Sequence, residues 1–515
     1  MGGVIAAGHE LTAQSGAEIL RAGGNAFDAA LAALVTACVV EPALASLGGG
    51  GFLLAQPSRE TVRLYDFFVQ TPRRPRAASE LDFRSIIADF GTAKQEFHIG
   101  HASIATPGLV RGLFAVHRDL GTLPMRDICH QAVRHATEGI RVNALQAYIF
   151  GVIAAVYRES PAAMAIYGSR KDAGRLVVEG ETLRQPSLAD TLDSLAVEGE
   201  ELFYRGEIAA SIVREMRPGG HLDAADLAGY AMIPRRPLAL DYRKARLFIN
   251  PPPASGGLLV AFGLQLLDGV DLGALGFGTP GHLDRLTRVL ALTQEARLAA
   301  CAHGSATHPD DALLLDPVFL GHYRRLLAGQ VPAPRGTTHI SVIDARGNVA
   351  ALSVSNGEGS SCLVPGTGIM LNNMLGEQDL NPGGFHRWPT DTRMTSMMAP
   401  ALLNFPDGRI IALGSGGSNR IRSAILQVVS NLVDFGMDVE EAVTAPRIHL
   451  EEEHLSVEGG FDSGHLHALL ASYPSHQRWE EPNLFFGGVH TVLREGASLR
   501  GAGDPRRGGV CTVVT

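Results

Sequence analysis

A predicted β-hairpin between residues 336 and 355 limits the folds that are open to this chain. Residues 336–344 read GTTHISVID and residues 348–355 read NVAALSVS, so both runs alternate in residue type as strands do. The connection between them, Ala345-Arg346-Gly347, is short and contains a glycine, which is typical of the turn that closes a hairpin. The two runs are therefore expected to form neighbouring antiparallel strands.

The register of this hairpin separates a mainly apolar face from a face that carries hydroxyl groups. If Asp344 pairs with Asn348, directly opposed residues share one side of the sheet. The mainly apolar face then contains Thr338, Ile340 and Val342 opposite Val354, Leu352 and Ala350. The other face contains Thr337, His339 and Ser341 opposite Ser355, Ser353 and Ala351. A hydroxyl group is thus predicted directly opposite Thr337.

The position of Thr337 suggests a nucleophile. A threonine hydroxyl reacts poorly unless a base lies within hydrogen-bond reach, and the threonine's own α-amine can be that base once it is free. Cleavage between Gly336 and Thr337 would free the amine. Glycine suits this bond, because it tolerates a strained backbone and leaves its carbonyl open to attack. The alternative is an ordinary half-buried hairpin, in which the threonines reflect only β propensity.

Three further groups of residues accompany the hairpin in a characteristic order. They are residues 22–30 with 47–52, residues 251–257, and residues 368–373 with 414–418, which read AGGNAFDAA, LGGGGF, PPPASGG, GIMLNN and GSGGS. In this order and spacing the chain resembles the γ-glutamyltranspeptidases, which are self-processing N-terminal-nucleophile hydrolases. The resemblance runs from roughly residue 4 to residue 507, and the combination is specific although each glycine-rich piece alone is a weak signal.

The resemblance implies an α+β fold, a four-layer αββα sandwich with two central sheets between helical layers. It also implies that a precursor separates into a large chain, residues 1–336, and a small catalytic chain, residues 337–515, which together form one domain. The two processed chains would then be each other's partners, and a homodimer of processed protomers is also allowed. From the residues alone, only a mixture of helices and strands with long helical runs is predicted.

By the same resemblance, the catalytic residues are Thr337, Ser355, Gly416 and Gly417. Thr337 would be the nucleophile, and Ser355 would hold its amine or hydroxyl in place. The glycines lie in a predicted turn from a strand to a helix, where backbone N–H groups and the helix dipole favour negative charge, as an oxyanion hole requires. The alignment of the glycine pair can shift by one residue, so Ser418 shares this assignment.

The resemblance also implies a set of substrate-binding residues. An arginine would grip the substrate carboxylate, and Arg76 is the first choice, with Arg74 as the second. An equally good interpretation of this basic turn is a solvated surface loop with no role in binding. The other substrate-binding candidates are Glu377, Thr395, Ser396 and Asn356.

Several of these positions depart from the family pattern. Gly357 lies where the family usually has asparagine or a similar polar group, with Asn356 one place earlier, and Met374 replaces a glutamine that binds the substrate amine. Glu377 is longer than the usual aspartate, and Thr395 replaces the first of two serines. Because a buried unpaired charge is costly, γ-glutamyl recognition is expected to be only partly kept.

The resulting prediction is a γ-glutamyltransferase-like enzyme. It would attack a γ-glutamyl or similar acyl amide, such as glutathione, and pass the acyl group to water, an amino acid or a peptide, without a cofactor. One alternative is an acylase that acts on a non-glutamyl side-chain amide, as cephalosporin acylases do. Another is a catalytically silent relative that binds a small ligand. A triad built on His339 is a further alternative, but no aspartate is spaced to orient it, so a structural histidine is preferred.

Composition excludes other classes of function. The 515 residues carry a net charge of -9 that is spread along the chain, which argues against nucleic-acid or anionic-membrane partners. The five cysteines are far apart and no cluster has metal-ligand spacing, so neither a disulfide framework nor a metal site is predicted.

The apolar run Ala29–Val40 is too short to span a bilayer and predicts a buried helix. Residues 1–5 show no signal peptide, so we expect a cytoplasmic protein, although many family members are exported.

Overall fold

The computed structural model describes residues 2–58, 60–89, 94–303, 314–326, 337–381, 383–451 and 453–515. Its first ten strands are β1 (Gly3–Ala7), β2 (Gly50–Gln56), β3 (Arg63–Phe67), β4 (Arg84–Asp89), β5 (Lys94–Ile99), β6 (Ile140–Arg141), β7 (Thr182–Leu183), β8 (Ile233–Arg235), β9 (Leu238–Tyr242) and β10 (Ala245–Ile249). The later strands are β11 (Thr338–Asp344), β12 (Val349–Ser355), β13 (Ala401–Asn404), β14 (Ile410–Gly416), β15 (Ile448–Glu451), β16 (His454–Val457), β17 (His476–Arg478), β18 (Gly488–Glu495), β19 (Ser498–Ala502) and β20 (Val510–Val514).

The α-helices occupy both halves of the chain. Those of the first half are α1 (Glu10–Arg21), α2 (Ala26–Val40), α3 (Leu109–Leu120), α4 (Met125–Glu138), α5 (Ala144–Val152), α6 (Ala154–Arg158), α7 (Pro161–Tyr167), α8 (Pro186–Glu198), α9 (Glu201–Tyr204), α10 (Glu207–Glu215) and α11 (Ala224–Gly229). The others are α12 (Ser255–Leu267), α13 (Leu272–Leu275), α14 (Pro280–His303), α15 (Pro317–Leu326), α16 (Arg420–Val433), α17 (Val439–Thr444) and α18 (Ser463–Ser472). Among the described helices, none is both long and apolar enough to cross a membrane.

Two antiparallel sheets form the centre of the molecule. The first has seven strands in the order β20-β1-β11-β12-β2-β3-β8, and the second has six in the order β19-β18-β14-β13-β10-β9. In the first sheet, strands from before and after Thr337 are hydrogen-bonded to one another, since β11 lies between β1 and β12, and β12 lies beside β2. Segments on either side of the predicted cleavage point thus share one sheet.

Two hydrophobic cores separate the layers. One core lies between the outer face of the seven-stranded sheet and the N-terminal helices, including α1, α2 and α4. The other contains the inward residues of both sheets and extends to α12, α14 and α16. The order is therefore helices, sheet, sheet, helices, and the predicted αββα architecture is confirmed.

The hairpin has the predicted register. Thr338 pairs with Val354 and Ile340 pairs with Leu352, so the residue before β11 faces the residue that ends β12. The backbone N–H of Asp344 donates to the carbonyl of Asn348 over 3.1 Å, as the proposed turn requires. The pattern of alternating side chains was sufficient to fix this pairing, because a slip by one residue would exchange the two faces.

Helix α2 runs along β11 and holds it at both ends. Its 15 residues are all buried, as its apolar sequence predicts, and its start is capped by Asn25 and Asp28 in a capping box. Asp344, at the end of β11, accepts a hydrogen bond from the backbone N–H of Ala26 over 3.0 Å. Glu41, directly after α2, accepts one from the Thr338 hydroxyl over 2.9 Å. A helix of this length spans about 22 Å and a strand of seven residues about 23 Å, so the two elements match.

Candidate active site

Thr337 lies where the two sheets meet. It directly precedes β11, is 4% exposed, and is opposite Ser355, which is 5% exposed. Gly416, the last residue of β14 in the second sheet, faces it so closely that an added Cβ would be 1.7 Å from the Thr337 carbonyl oxygen. Only glycine fits at this position. The predicted catalytic residues Thr337, Ser355 and Gly416 are therefore brought together, whereas Gly336 lies outside the described residues.

The glycine turn continues from Gly416 as the sequence suggested. Gly417 has φ +124° and Ser418 has φ +53°, and α16 begins two residues later. Two successive residues with positive φ reverse the chain sharply at the end of β14. The turn thus consists of Gly417 and Ser418, while Gly416 belongs to the strand. The boundary between strand and turn affects the choice among Gly416, Gly417 and Ser418 as donors to an oxyanion.

Arg507 is a residue of the site that the sequence analysis missed. Its Nη1 donates to the Thr337 carbonyl over 3.3 Å, and its Nη2 donates to the Leu484 carbonyl over 3.4 Å. Its guanidinium also lies beside the glycine turn, since Cβ atoms added to Gly416 and Gly417 would be 3.2 and 3.4 Å from its nitrogens. Burial lowers the pKa of Arg507 to about 10, so it remains charged at neutral pH.

Glu41 supports the strand from the opposite face. Its two carboxylate oxygens accept hydrogen bonds from the hydroxyls of Thr12 and Thr338, each over 2.9 Å. Burial raises the pKa of Glu41, and the two hydroxyls and the charge of Arg507 reduce that effect. The Thr338 hydroxyl is thus engaged on the helical side of the sheet, so of the two neighbouring threonines Thr337 is the one on the face towards the second sheet.

His339 has the contacts of a structural residue. Its ring nitrogens are each 2.8 Å from a serine hydroxyl, Nδ1 from that of Ser353 and Nε2 from that of Ser341. The ring is fully buried and fills the space above Gly414, where an added Cβ would be 2.4 Å from it. Burial, with a smaller contribution from His490, keeps the pKa of His339 well below 6.5, so the ring is neutral. These contacts favour the structural interpretation over a triad.

A group of polar residues lies on the β12 side of Thr337. Gly357 has φ +63°, and a Cβ added there would be 2.0 Å from the Asn373 amide oxygen and 2.4 Å from a Glu377 carboxylate oxygen. Asn356 is 1% exposed, and neither polar atom of its side chain has a hydrogen-bond partner among the described residues. The predicted residues Asn356 and Glu377 therefore adjoin the segment that follows Ser355. Met374, by contrast, is buried in the apolar core between the sheets.

Thr395 and Ser396 lie at the same end of the first sheet. Their segment is attached beyond β3, where the Met394 N–H donates to the Val69 carbonyl over 3.1 Å. The Thr395 hydroxyl donates to that of Ser255 over 3.3 Å, and the Ser396 hydroxyl accepts from the Met398 N–H over 3.1 Å. The strands of the first sheet end side by side at Thr337, Ser355, Gly50 and Phe67. The hydroxyls of Thr395 and Ser396 therefore border the same edge of the sheet as Thr337.

Arg76 is placed elsewhere. Its Nη1 donates to the Arg217 carbonyl over 2.9 Å, and its backbone N–H donates to the His221 ring over 3.1 Å. Arg74, the second choice, is exposed. These contacts attach Arg76 to the segment of residues 217–221, and its role as the carboxylate-binding arginine stays a prediction.

A cleft opens beside Thr337 on the side of β1. Its cavity is small, about 40 Å³, and Thr337, Glu41 and Arg507 are among the residues that line it. Its walls are mainly apolar and come from the segment after α2, from α5 and from the loop before β18. The apolar lining residues are Val40, Pro42, Ala43, Leu44, Leu145, Ile149, Phe150 and Leu484.

Comparison with known proteins agrees with this geometry. The sequence profile of the family described as gamma-glutamyltranspeptidase matches residues 12–514. The chain belongs to the γ-glutamyltranspeptidase family. It is thus similar in sequence and in fold to enzymes of that family over its whole length.

The relatives of this chain are named for two different activities. An acylase ACY 1 proenzyme from Pseudomonas sp. (strain V22) is 30% identical, with 100% of this chain and 94% of the relative covered. A glutathione hydrolase proenzyme from Escherichia coli (strain K12) is 29% identical, with 98% and 90% covered. The crystal structure of a cephalosporin acylase from Bacillus halodurans superposes with a TM-score of 0.85 and 25% identity, over 99% of this chain and 95% of that one. The family therefore contains both acylases and glutathione hydrolases at similar distances from this chain.

Proposed function

We propose that this chain is the precursor of an N-terminal threonine amidohydrolase, which processes itself and then transfers an acyl group from an amide to water or to an amine. One observation carries the proposal: Thr337, Ser355 and the glycine turn converge from two different sheets. An ordinary hairpin threonine needs none of these neighbours. The proenzyme names of the acylase and glutathione hydrolase relatives support the processing step.

Processing would begin with attack by the Thr337 hydroxyl on the carbonyl carbon of Gly336. The peptide bond between the two residues breaks, the acyl group moves from nitrogen to oxygen, and the hydroxyl proton passes to the new amine. Water then hydrolyses the ester and regenerates the hydroxyl. The products would be a large chain of residues 1–336 and a small chain of residues 337–515, which stay together because they share the first sheet.

In the processed enzyme, the Thr337 amine would take the proton from its own hydroxyl as that oxygen attacks the substrate carbonyl. The amine half of the substrate leaves with that proton, and an acyl ester remains on Thr337. Water or an acceptor amine then attacks the ester by the reverse sequence of proton transfers. Ser355, opposite Thr337 in the hairpin, would orient the amine and the hydroxyl.

The glycine turn would stabilise the oxyanion. Gly417 and Ser418 follow β14 in left-handed conformations at the N-terminal end of α16, where free backbone N–H groups and the helix dipole favour negative charge. We therefore assign the oxyanion donors to Gly417 and Ser418, and we assign to Gly416 the close approach to Thr337. Loss of one such donor usually costs about a hundredfold to a thousandfold in rate.

The two halves of the substrate would lie on opposite sides of Thr337. An amide carbonyl held between the nucleophile and the glycine turn directs its two substituents apart. Glu377, Thr395 and Ser396 border the β12 side, so the acyl half is assigned there. The apolar cleft on the β1 side is then available for the amine half, and its walls favour an amine attached to an apolar or aromatic body.

For the acyl half, we favour a group other than γ-glutamyl. The guanidinium of Arg76, the arginine expected to bind the α-carboxylate, donates to the Arg217 carbonyl, and Met374 is part of the apolar core rather than a polar ligand. A γ-glutamyl group would leave its carboxylate without a charged partner, which is costly in a buried site. Glu377 keeps γ-glutamyl as the second candidate, because a carboxylate at that position can pair with an α-amine. A glutaryl anilide keeps the carboxylate and lacks the amine, and a butyryl anilide lacks both, so rates on these two and on a γ-glutamyl anilide would show which charged group the site accepts.

The processing step is tested with intact mass and a denaturing gel. We expect wild-type protein to yield fragments that divide before Thr337, and Thr337→Ala to remain a single chain. Thr338→Ala is the matched control, because it removes the neighbouring hydroxyl, which contacts Glu41 rather than the second sheet, and it should still be cleaved. Cleavage of the Thr337→Ala protein at the same bond would exclude the threonine as the nucleophile.

A further inference from the structure

A group of potential metal ligands lies outside the proposed active site. His101, Glu215 and Cys362 each direct one ligand atom to a common point, and these atoms all lie within 4.8 Å of one another. The three residues come from separate parts of the fold: His101 from a short turn after β5, Glu215 from the end of α10, and Cys362 from the loop that follows β12. We propose that these three residues bind a Zn²⁺ ion.

The orientation of the His101 ring supports this proposal. Its Nδ1 is 2.6 Å from a carboxylate oxygen of Asp82, and its Nε2 faces Glu215. A carboxylate that accepts the Nδ1 proton leaves the Nε2 lone pair free for a metal, and metal-binding histidines usually have such a partner. Asp82 is itself held in place, because it also accepts a hydrogen bond from the His101 backbone N–H over 3.0 Å and pairs with Arg84.

One of the three distances between ligand atoms agrees with those around zinc, and the other two are at most 4.8 Å. Nitrogen and oxygen ligands lie about 2.0–2.2 Å from Zn²⁺, so in a tetrahedron they are about 3.3–3.6 Å apart, and a thiolate is slightly further away. The distance from His101 Nε2 to Glu215 Oε1 is 3.4 Å. Within the described part of the chain, the Cys362 sulfur makes a weak contact of 3.8 Å with the Ser360 carbonyl, which the side chain would give up on turning towards an ion.

The chemistry of the three ligands selects the metal. A thiolate and an imidazole suit Zn²⁺, whereas Mg²⁺ and Ca²⁺ prefer oxygen ligands alone. The side chains of His101 and Glu215 are 17% and 28% exposed, which provides an entry path and a fourth position for water.

The position of this group suggests a structural role. Cys362 lies seven residues after Ser355, in the loop that contains Asn356 and Gly357. This loop already contacts the segment before His101, because the Gly100 N–H donates to the Ser360 carbonyl over 3.0 Å. A metal ion would therefore fasten the loop beside the acyl side of the proposed site to α10. The inference does not depend on the proposed reaction.

Cobalt titration of the whole protein, freed of metal by a chelator, tests the proposal. Co²⁺ replaces Zn²⁺ in such sites, and a cobalt–thiolate bond gives a charge-transfer band in the near ultraviolet. We expect one equivalent of Co²⁺ per chain with this band, displacement by Zn²⁺, and a higher Tm with Zn²⁺. Cys362→Ser should lose the band and bind at least tenfold more weakly, and Glu215→Gln should weaken binding while keeping the band.

Two further variants make the test specific. Cys129→Ser is the matched control, because Cys129 is a buried cysteine of α4 outside the group, and this variant should bind like wild type. Asp82→Asn should weaken binding by about tenfold to a hundredfold, as the loss of a residue that orients a histidine ligand does. Absence of the band in folded wild-type protein, or its persistence in Cys362→Ser, would overturn the proposal. His101 would then serve only to join Asp82 and Glu215 by its two ring nitrogens.

Discussion

Replacement of Arg507 by methionine tests whether a buried cation tunes the base of the reaction. Arg507 Nη1 is 3.3 Å from the Thr337 carbonyl oxygen. Within one residue, the carbonyl oxygen and the amine nitrogen are at most about 3.6 Å apart, so the guanidinium lies within about 7 Å of the freed amine. A positive charge at this distance disfavours the protonated amine and lowers its pKa.

The size of the effect follows from the distance. Two charges about 7 Å apart interact by about 2.4 kcal/mol at an effective dielectric constant of about 20 and by about 0.6 kcal/mol in water. At about 1.36 kcal/mol per pKa unit, the Thr337 amine is lowered by about 0.4 to 1.7 units from its usual value near 8. The carboxylate of Asp504, and after it that of Glu41, offsets part of the Arg507 charge, so the expected shift of the amine pKa is nearer to about 0.4 than to about 1.7 units.

The sign of the change is testable in a pH–rate profile. The reaction needs the neutral amine, so kcat/KM rises with pH through the amine pKa and falls about tenfold for each unit below it. Arg507→Met should move this acidic limb upward by about 0.4 to 1.7 units, which is about a 2.5-fold to 50-fold loss at pH 6 and little loss at pH 9. The measurement is made on protein whose processing has been verified on a gel, with the anilide that proves to be turned over.

Arg507→Lys is the control for this prediction, because it keeps the charge while changing the hydrogen bonds. It should keep the acidic limb near its wild-type position, even if the rate at every pH is lower. A processed Arg507→Met protein with the wild-type acidic limb would refute the electrostatic argument. The contact with the Thr337 carbonyl would then serve only to hold the strand in place.

Three further predictions concern single side chains. His339→Gln should lower the free energy of unfolding by about 1–3 kcal/mol in denaturant melts, because it disturbs two buried hydrogen bonds. It should leave the acidic limb of the pH–rate profile unchanged, and a shifted limb would instead support a catalytic role for His339. Gly357→Ala should reduce activity and Tm together, because its Cβ would be 2.0 Å from the Asn373 amide oxygen and its φ is +63°; an unaffected variant would show that the loop adapts. Leu145→Ala should raise KM for an anilide by about tenfold or less, and KM for a small aliphatic amide much less. Tyr148→Ala, on the exposed face of α5, is the control and should change neither KM. Equal effects of Leu145→Ala on both amides would show that the cleft does not bind the substrate.

The hairpin shows what the sequence could predict. Its register depends on local alternation and on a short turn, so the pairing of Thr338 with Val354 was predicted from residue types alone. The capping box at Asn25 and the buried helix that follows it are equally local features. The layered fold, by contrast, was implied by the resemblance, since the order of strands in a sheet depends on contacts between distant segments.

The residues that the sequence did not reveal reach their places only through tertiary structure. Arg507 is 170 residues from Thr337, and an arginine in a C-terminal turn has no local pattern that points to a nucleophile. Arg76 shows the opposite limit, because a basic turn near the expected position suggests a role in substrate binding, whereas only the fold shows that its side chain donates to the Arg217 carbonyl. Spacing in the sequence could not suggest the group of His101, Glu215 and Cys362 either, because these residues are too far apart in the chain to form a spaced motif.

The contacts of β11 explain how a threonine can be held accurately at a strand end, where backbones usually fray. Asp344 fixes one end of β11 to the start of α2, and Glu41 fixes the other end from the residue that follows α2. Gly416 and Arg507 then hold the Thr337 carbonyl from the second sheet. None of these contacts uses the Gly336–Thr337 bond, so they can persist after that bond is cut. The same scaffold can therefore position the hydroxyl for self-cleavage and, afterwards, for attack on a substrate.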